Sequence, residues 1–319
     1  MPVETTKIKI CNLNNVLNFT CKGMHETGIL PARNYYRMQE LNFLDETLDL
    51  NQTSSYHLTM QAGQKEFSYC LLDLARNKYV ALRHYTFLRD GDPDTFAPET
   101  LEVLSKDEFL ARPYKSVYFI WKTQKFTLVP SPLFNRDQAR MYFEFNHVAD
   151  KREEINFCRL KKEDAYLVFA APSPVCEAVT GRFRQAVFFH QGFALLEILL
   201  RQASTNQPSV AVCLHGNFLD IAVAEKKKLK IYNTFSYTHE HDMLFFILYI
   251  YEQLKLNQEE DELILSGEIS KTSEHYFLLR RYLKKIRFAR PDELYTYSYT
   301  FGPSAEHRFV NLLNLFACA

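Results

Sequence analysis

Neither sign of charge is in surplus in this chain: Lys+Arg and Asp+Glu both number 38 among 319 residues. A general electrostatic pull toward nucleic acid or an anionic membrane therefore has no source. Cys-x-x-Cys is also missing. The seven cysteines are odd in number and widely scattered, which argues for reduced thiols rather than a disulfide framework or a zinc site. No run approaches the roughly 18 apolar residues of a membrane span; the most apolar stretch, Met243 to Tyr251, reads as a buried helix. The N-terminus shows no cationic region followed by an apolar core. The expected location is cytoplasmic.

What is present is a globular composition, 47% hydrophobic and 14% aromatic, with 26 Phe and 19 Tyr. The length suits two lobes, each able to bury its own core. Val210 to Ile269 is the most informative stretch. An apolar strand, Val210 to Leu214, turns at His215-Gly216-Asn217 into a second strand, Phe218 to Ala224. A lysine turn and a third strand, Lys228 to Tyr237, follow. The apolar helix Asp242 to Leu254 and the strand Glu262 to Leu265 then lead into Ser266-Gly267-Glu268.

The first half repeats this order. Tyr56 to Ala62 reads as a strand, Gly63-Gln64-Lys65-Glu66 as a turn, Phe67 to Asp73 and Tyr79 to Phe87 as the second and third strands. Helical spacing covers Leu101 to Leu110 and Arg136 to Phe145. Val117 to Trp121, Phe126 to Val129, Ile155 to Leu160, Tyr166 to Ala170 and Ala186 to His190 read as strands. Phe193 to Arg201 reads as a helix, and Ser204 to Pro208 as the linker between the halves. Tyr295 to Tyr299 alternates like a strand, and Glu306 to Phe316 like a closing amphipathic helix. Residues 1–50 show weak apolar periodicity and are expected to be loosely attached. An alternative is a native start near Met38; since residues 1–37 lack core periodicity, a chain beginning at Met38 is expected to keep the melting temperature and solubility of the full chain.

Taken in order, these residues resemble the actin-like ATPase superfamily of actin, sugar kinases and heat-shock chaperones. They are most similar to its bacterial pilus-assembly and cell-division members, and to a bacterial family of unknown function with a degenerate actin-type fold. In that superfamily each lobe opens on a hairpin whose Asp-x-Gly turn cradles a phosphate. The matching triplets here are Gln61-Ala62-Gly63 and Leu214-His215-Gly216. Ser266-Gly267-Glu268 resembles the Gly-Gly turn that holds adenosine, and Phe193-Ala194-Leu195-Leu196 resembles the pilus-assembly members. The resemblance implies an α/β fold, a two-lobed actin-like (ribonuclease H-like) duplication with each lobe of βββαβα type. It further implies lobe I at 51–204, lobe II at 205–306, and a closing helix at 307–319 that returns to lobe I. The implied nucleotide-binding residues are Gly63, Gly216, Ser266 and Gly267.

The departures decide the functional expectation. A phosphate turn needs Gly so that backbone N–H groups can approach the anion, and Gly63 and Gly216 keep that option. A hard cation needs oxygen ligands; Gln61 offers a neutral amide and Leu214 offers nothing. Bland readings stand beside each candidate. Gly63 and Gly216 suit any tight hairpin, and His215 reads as an exposed turn histidine. His239-Glu240-His241-Asp242 precedes a helix, where Thr238 or Asp242 can cap it, so no metal is expected. Arg280, Arg281, Lys284, Lys285, Arg287 and Arg290 read as a solvated face rather than a nucleic-acid site. Tyr295, Tyr297 and Tyr299 suit a half-buried strand. Cys70, Cys158 and Cys213 fall in strands and read as core.

The leading expectation is a non-hydrolysing protein that binds another, unidentified protein as a scaffold or regulator. ATP with magnesium is disfavoured and no cofactor is expected. The alternative is an ATPase or kinase with relocated carboxylates drawn from Asp73, Asp220 or Glu268. A third is nucleic-acid binding through the basic helix at 280–290. Oligomeric state is left open.

Overall fold

The computed structural model of this chain describes residues 38–87 and 96–319. It opens with β1 (Met38–Leu44), β2 (Tyr56–Ala62), β3 (Glu66–Asp73), β4 (Lys78–Phe87), α1 (Phe96–Lys106) and β5 (Ser116–Trp121). Next come β6 (Phe126–Pro130), α2 (Ala139–Glu144), β7 (Glu153–Leu160), β8 (Ala165–Pro172) and α3 (Ser173–Arg182). Strand β9 (Val187–His190) and helix α4 (Gly192–Gln202) complete the first half. The second half holds β10 (Ser209–Leu214), β11 (Phe218–Glu225), β12 (Lys228–Ser236), α5 (Glu240–Gln253), β13 (Glu262–Gly267), α6 (Glu274–Tyr282) and β14 (Ile286–Phe288). A short β15 (Thr296–Tyr297), α7 (Gly302–Arg308) and α8 (Val310–Cys318) close the chain.

The two large sheets share one plan. The first runs β1-β4-β3-β2-β5-β9, and the second β12-β11-β10-β13-β14. Setting β1 aside, each is an antiparallel three-strand meander whose first strand takes a parallel neighbour, followed by a second parallel strand. This is the two-lobed duplication that the repeated element order implies. A third sheet, β6-β8-β7, is inserted between β5 and β9. With α2 it has its own small core of Val129, Ala139, Phe143, Val168 and Ala170.

Residues 1–37 lie outside the described residues, but 38–44 of the segment expected to be loosely attached are not loose. They pair antiparallel along β4, from Met38 opposite Phe87 to Leu44 opposite Ala81. Phe43 and Leu44 pack on the main core. The C-terminal return also differs from the expected residue 307. Thr296 N donates to Asn77 O at 2.9 Å, so β15 already lies beside β4 in the first sheet. Tyr297 stacks on Tyr79 with ring centroids 5.3 Å apart, while Tyr299 is exposed. The expected single closing helix is two, because Phe309 leaves helical geometry at φ −106°, ψ 17°.

Side-chain size sets where α4 and α8 go. On the second sheet, Val210, Val212, Leu214, Leu219, Ile221 and Val223 face outward into the core under α5 and α6. The opposite face carries Ala211, Cys213, Ala222 and Ala224, which join the main core. Small residues there let helices approach closely, and α4 and α8 pack between the two sheets. Leu312, Leu313 and Leu315 of α8 are fully buried, each stabilising by about 1.5–3 kcal/mol. The Tyr79 hydroxyl donates to the Leu313 carbonyl, tying α8 to β4. Gly192 opens α4 beneath Tyr232, whose hydroxyl would lie 2.0 Å from an added Cβ.

Candidate functional site

The hairpin turns of the two lobes meet. In the first, Gly63 N donates to Glu66 O at 3.0 Å; in the second, His215 N donates to Phe218 O at 2.9 Å. Asn217 Nδ2 then donates to Gln64 Oε1 at 3.3 Å across the lobe boundary. Gly216 has φ +79°, a conformation that favours glycine. Gly267 sits beside this junction at φ +82°, and Glu268 N donates to Leu214 O at 2.9 Å.

Side chains, not open space, lie over these glycines. A Cβ on Gly63 would be 3.0 Å from Cδ of Lys122, and one on Gly216 would be 3.4 Å from Oε2 of Glu268. Lys122 follows β5 directly, and its backbone N–H donates to Ala62 O at 2.9 Å, extending the parallel ladder with β2. Its ammonium pairs with the Glu66 carboxylate, both side chains being buried. Burial disfavours the ionised Glu66, but the charge and hydrogen bond of Lys122, with the neighbouring histidines, together outweigh it and bring the carboxyl down to about 2. Burial likewise opposes the Lys122 charge, and Glu66 and Glu268 overcome it, so its pKa rises. Glu268 is pushed up by burial and by the neighbouring Glu66, against the pull of Lys122 and Arg308. Lys122 is thus ion-paired to Glu66 of the first lobe, and its charge also acts on Glu268 of the second.

Histidines border the cluster in two different states. Arg308 donates to Nε2 of His84 at 2.9 Å, so the ring proton is on Nδ1 and goes to Ser68 Oγ at 2.8 Å. Burial, with the opposing Arg308 and Lys122 charges, pushes His84 down to about 4 and keeps it neutral. His215 is not the exposed turn histidine that the sequence suggests. It is buried, stacks on Phe218, and its Nε2 lies 2.9 Å from Asp220 Oδ2. Burial disfavours its charge, but Cys213 and the hydrogen-bonded Asp220 favour it, raising His215 to about 9.

Asp220 faces inward, on the side of its sheet opposite Leu219 and Ile221. Its second oxygen accepts from Gln191 Nε2 at 3.5 Å. Gln191 also binds Thr123 through both ends of its amide, at 3.0 and 2.9 Å. Asp220 is therefore committed to a junction between the lobes.

The cavity at this junction measures about 10 Å³ and is lined by Gln61, Glu66, Lys122, Gly267, Glu268 and Arg308, among others. That is room for about one water, whereas small-molecule pockets span roughly 300–1,000 Å³. A nucleoside triphosphate with its cation does not fit these residues as they stand. Of the four residues implied by resemblance, Gly63, Gly216 and Gly267 come together here. Ser266 is buried and its hydroxyl donates to Val212 O at 3.3 Å, within its own sheet. Asp73 is at the far end of β3 from the turn, roughly 23 Å away at strand spacing, and pairs with Arg76 at 2.6 Å.

Other motifs resolve locally. The Asp242 carboxylate accepts from the backbone N–H groups of Thr238 and His239, capping α5, with His239 as the N-cap residue. In the basic cluster, Arg287 pairs with Glu262 at 2.7 Å and Arg280 donates to Lys284 O at 2.6 Å. Cys70, Cys158 and Cys213 are buried core thiols. The residues that sequence reasoning missed are Glu66, Lys122, His84, Gln191 and Arg308. No local pattern marks them, because their partners are distant in the chain.

A family model described as "Protein of unknown function (DUF3822)" matches residues 45–286. No curated protein matches the sequence. Among solved structures, a Bacteroides thetaiotaomicron VPI-5482 protein with actin-like ATPase fold and unknown function is 23% identical, with a TM-score of 0.66, over 76% of this chain and 94% of that one. A chain of the PilM–PilN type IV pilus biogenesis complex is 13% identical, with a TM-score of 0.53, over 82% of this chain and 98% of that one. The fold is that of the actin-like ATPases.

Proposed function

We propose that this chain, which belongs to the DUF3822 family, acts by holding another protein and not by turning over a nucleotide. The observation that carries this reading is the closed cleft. Its glycine turns are covered by Lys122 and Glu268, its inward carboxylate Asp220 is bound to His215 and Gln191, and its cavity is about 10 Å³. A scaffold needs the two-lobed frame but not an open phosphate site.

A surface for such a partner lies on the inserted sheet. Leu133, Met141, Phe145 and Val148 are 68%, 57%, 88% and 87% exposed, on and beside α2. Exposed apolar side chains grouped in this way suit a protein interface better than solvent. The PilM–PilN structure is itself a complex of two proteins, and the same frame here supports an analogous use.

Thermal denaturation with millimolar ATP and magnesium tests the closed cleft. A ligand at about 100 times its Kd adds about 2.7 kcal/mol, a shift of at least several degrees at this size. No saturable shift is expected. A shift that vanishes in Gly216→Trp overturns the reading in favour of an enzyme. The companion test is affinity capture from the source cell, with Phe145→Asp as control. The expected result is one partner retained by the native chain and lost by the variant, with unchanged melting.

A further inference from the structure

Two carboxylates that face each other across a lobe boundary repel unless a cation lies between them. Glu66 stands at the start of β3 in the first lobe and Glu268 just after β13 in the second, and both line the same cavity. Lys122 lines it as well, buried and paired to Glu66, with its stem against Gly63. Of the other cations at the junction, His215 is held by Asp220, while Arg308 lines the same cavity and gives one guanidinium N–H to His84; its buried Nε has no hydrogen-bond partner among the described residues. Asn311 brings one more oxygen, since its buried Oδ1 on this cavity has no hydrogen-bond partner.

We propose that Lys122 is a built-in cation that closes the cleft: its ammonium, paired to Glu66 in the cavity that Glu268 also lines, takes the place that a divalent metal ion would otherwise fill. A tethered ammonium offsets one of the two negative charges without a free ion. It also occupies the volume that a hydrated metal and its ligand need. One lysine at the end of β5 then adds to the lack of fit to a nucleotide and its cation, beside Glu268 over Gly216 and Asp220 held by His215 and Gln191. Removing the side chain leaves two carboxylates and an amide oxygen around a vacated space, the donor set that a hard cation prefers. This inference concerns what closes the cleft and is independent of the surface on α2, so its failure leaves the partner-binding test untouched.

The experiment uses the full chain, native and Lys122→Ala, melted with millimolar MnCl2 and with NaCl of equal ionic strength. Bound Mn2+ is counted by electron paramagnetic resonance. The native chain is expected to bind none and to melt identically in both salts. Lys122→Ala is expected to melt several degrees lower in NaCl, to regain most of that loss in MnCl2, and to bind one Mn2+. Adding Glu268→Gln to Lys122→Ala is expected to abolish both the recovery and the binding. Should Lys122→Ala not stay folded, its soluble yield on refolding with MnCl2 against NaCl is read in the same way. Lys122→Ala that melts like the native chain, or shows no manganese-specific recovery, overturns the proposal. So does recovery that survives Glu268→Gln, or an equal manganese response in the native chain.

Discussion

Gly267 lies so close to the backbone of Leu214 that a Cβ would come within 2.1 Å of the Leu214 carbonyl oxygen. This is the point where β13 runs parallel to β10, Gly267 opposite Leu214, and its φ of +82° independently demands glycine.

Gly267→Ala is therefore expected to destabilise by more than about 2 kcal/mol, since backbone strain and a backbone clash act together. Gly181 is the contrast. It lies in the last turn of α3, with nothing within 4 Å of its would-be Cβ. Gly181→Ala is expected to stabilise by about 0.4–1 kcal/mol through the unfolded chain. Urea titration of both variants checks the pair, and equal effects would refute the packing argument at Gly267.

Phe143 and Phe145 are two positions apart in the inserted unit, one fully buried in its small core and the other exposed at the end of α2. Phe143→Ala is expected to cost about 3–5 kcal/mol. Phe145→Asp is expected to change stability by less than about 0.5 kcal/mol. Calorimetry on the two variants separates the structural phenylalanine from the one offered to a partner. A large loss in Phe145→Asp would show that this side chain belongs to the fold.

The duplicated frame was legible because each lobe's strands are adjacent in sequence and bounded by Gly or polar turns. Val210 to Ala224 announces its hairpin without help from the rest of the chain. The inserted sheet was harder to see. Its strands were readable one by one, but β6 pairs with β8 across α2 and β7, and pairing between distant segments leaves no local trace. Strand β1 was missed because it is an edge strand with Glu40, Leu41 and Asn42 exposed, which blurs its alternation. The glycine turns pointed to the junction, yet the charges that fill it did not show. Glu66 read as one residue of a polar turn, and Lys122, 56 positions later, as the residue after a strand. Nothing in one sequence says that those two ends meet.

The last expectation concerns pH, where the buried histidines pull in opposite directions. Burial holds His84 and His190 down to about 4, and His57 down to about 3, from 6.5. Below pH 6.5 the unfolded chain takes up protons at these three that the folded chain refuses, so stability falls as the pH falls. His215 does the reverse. Its folded pKa of about 9 lies above 6.5, so its contribution is complete below pH 6.5 and is lost as the pH rises through 9. Glu268, also raised, loses stability with rising pH above 4.5 and partly offsets the acid-side decline. Three histidines outweigh it. Urea unfolding from pH 5 to 8, below the range in which the buried cysteines contribute, is therefore expected to give a maximum near pH 6.5–7, steep on the acid side and shallower on the alkaline side. His215→Asn should lower the maximum and flatten the alkaline arm while leaving the acid arm in place. An alkaline decline of unchanged slope in that variant would mean that His215 does not hold its proton in the folded protein.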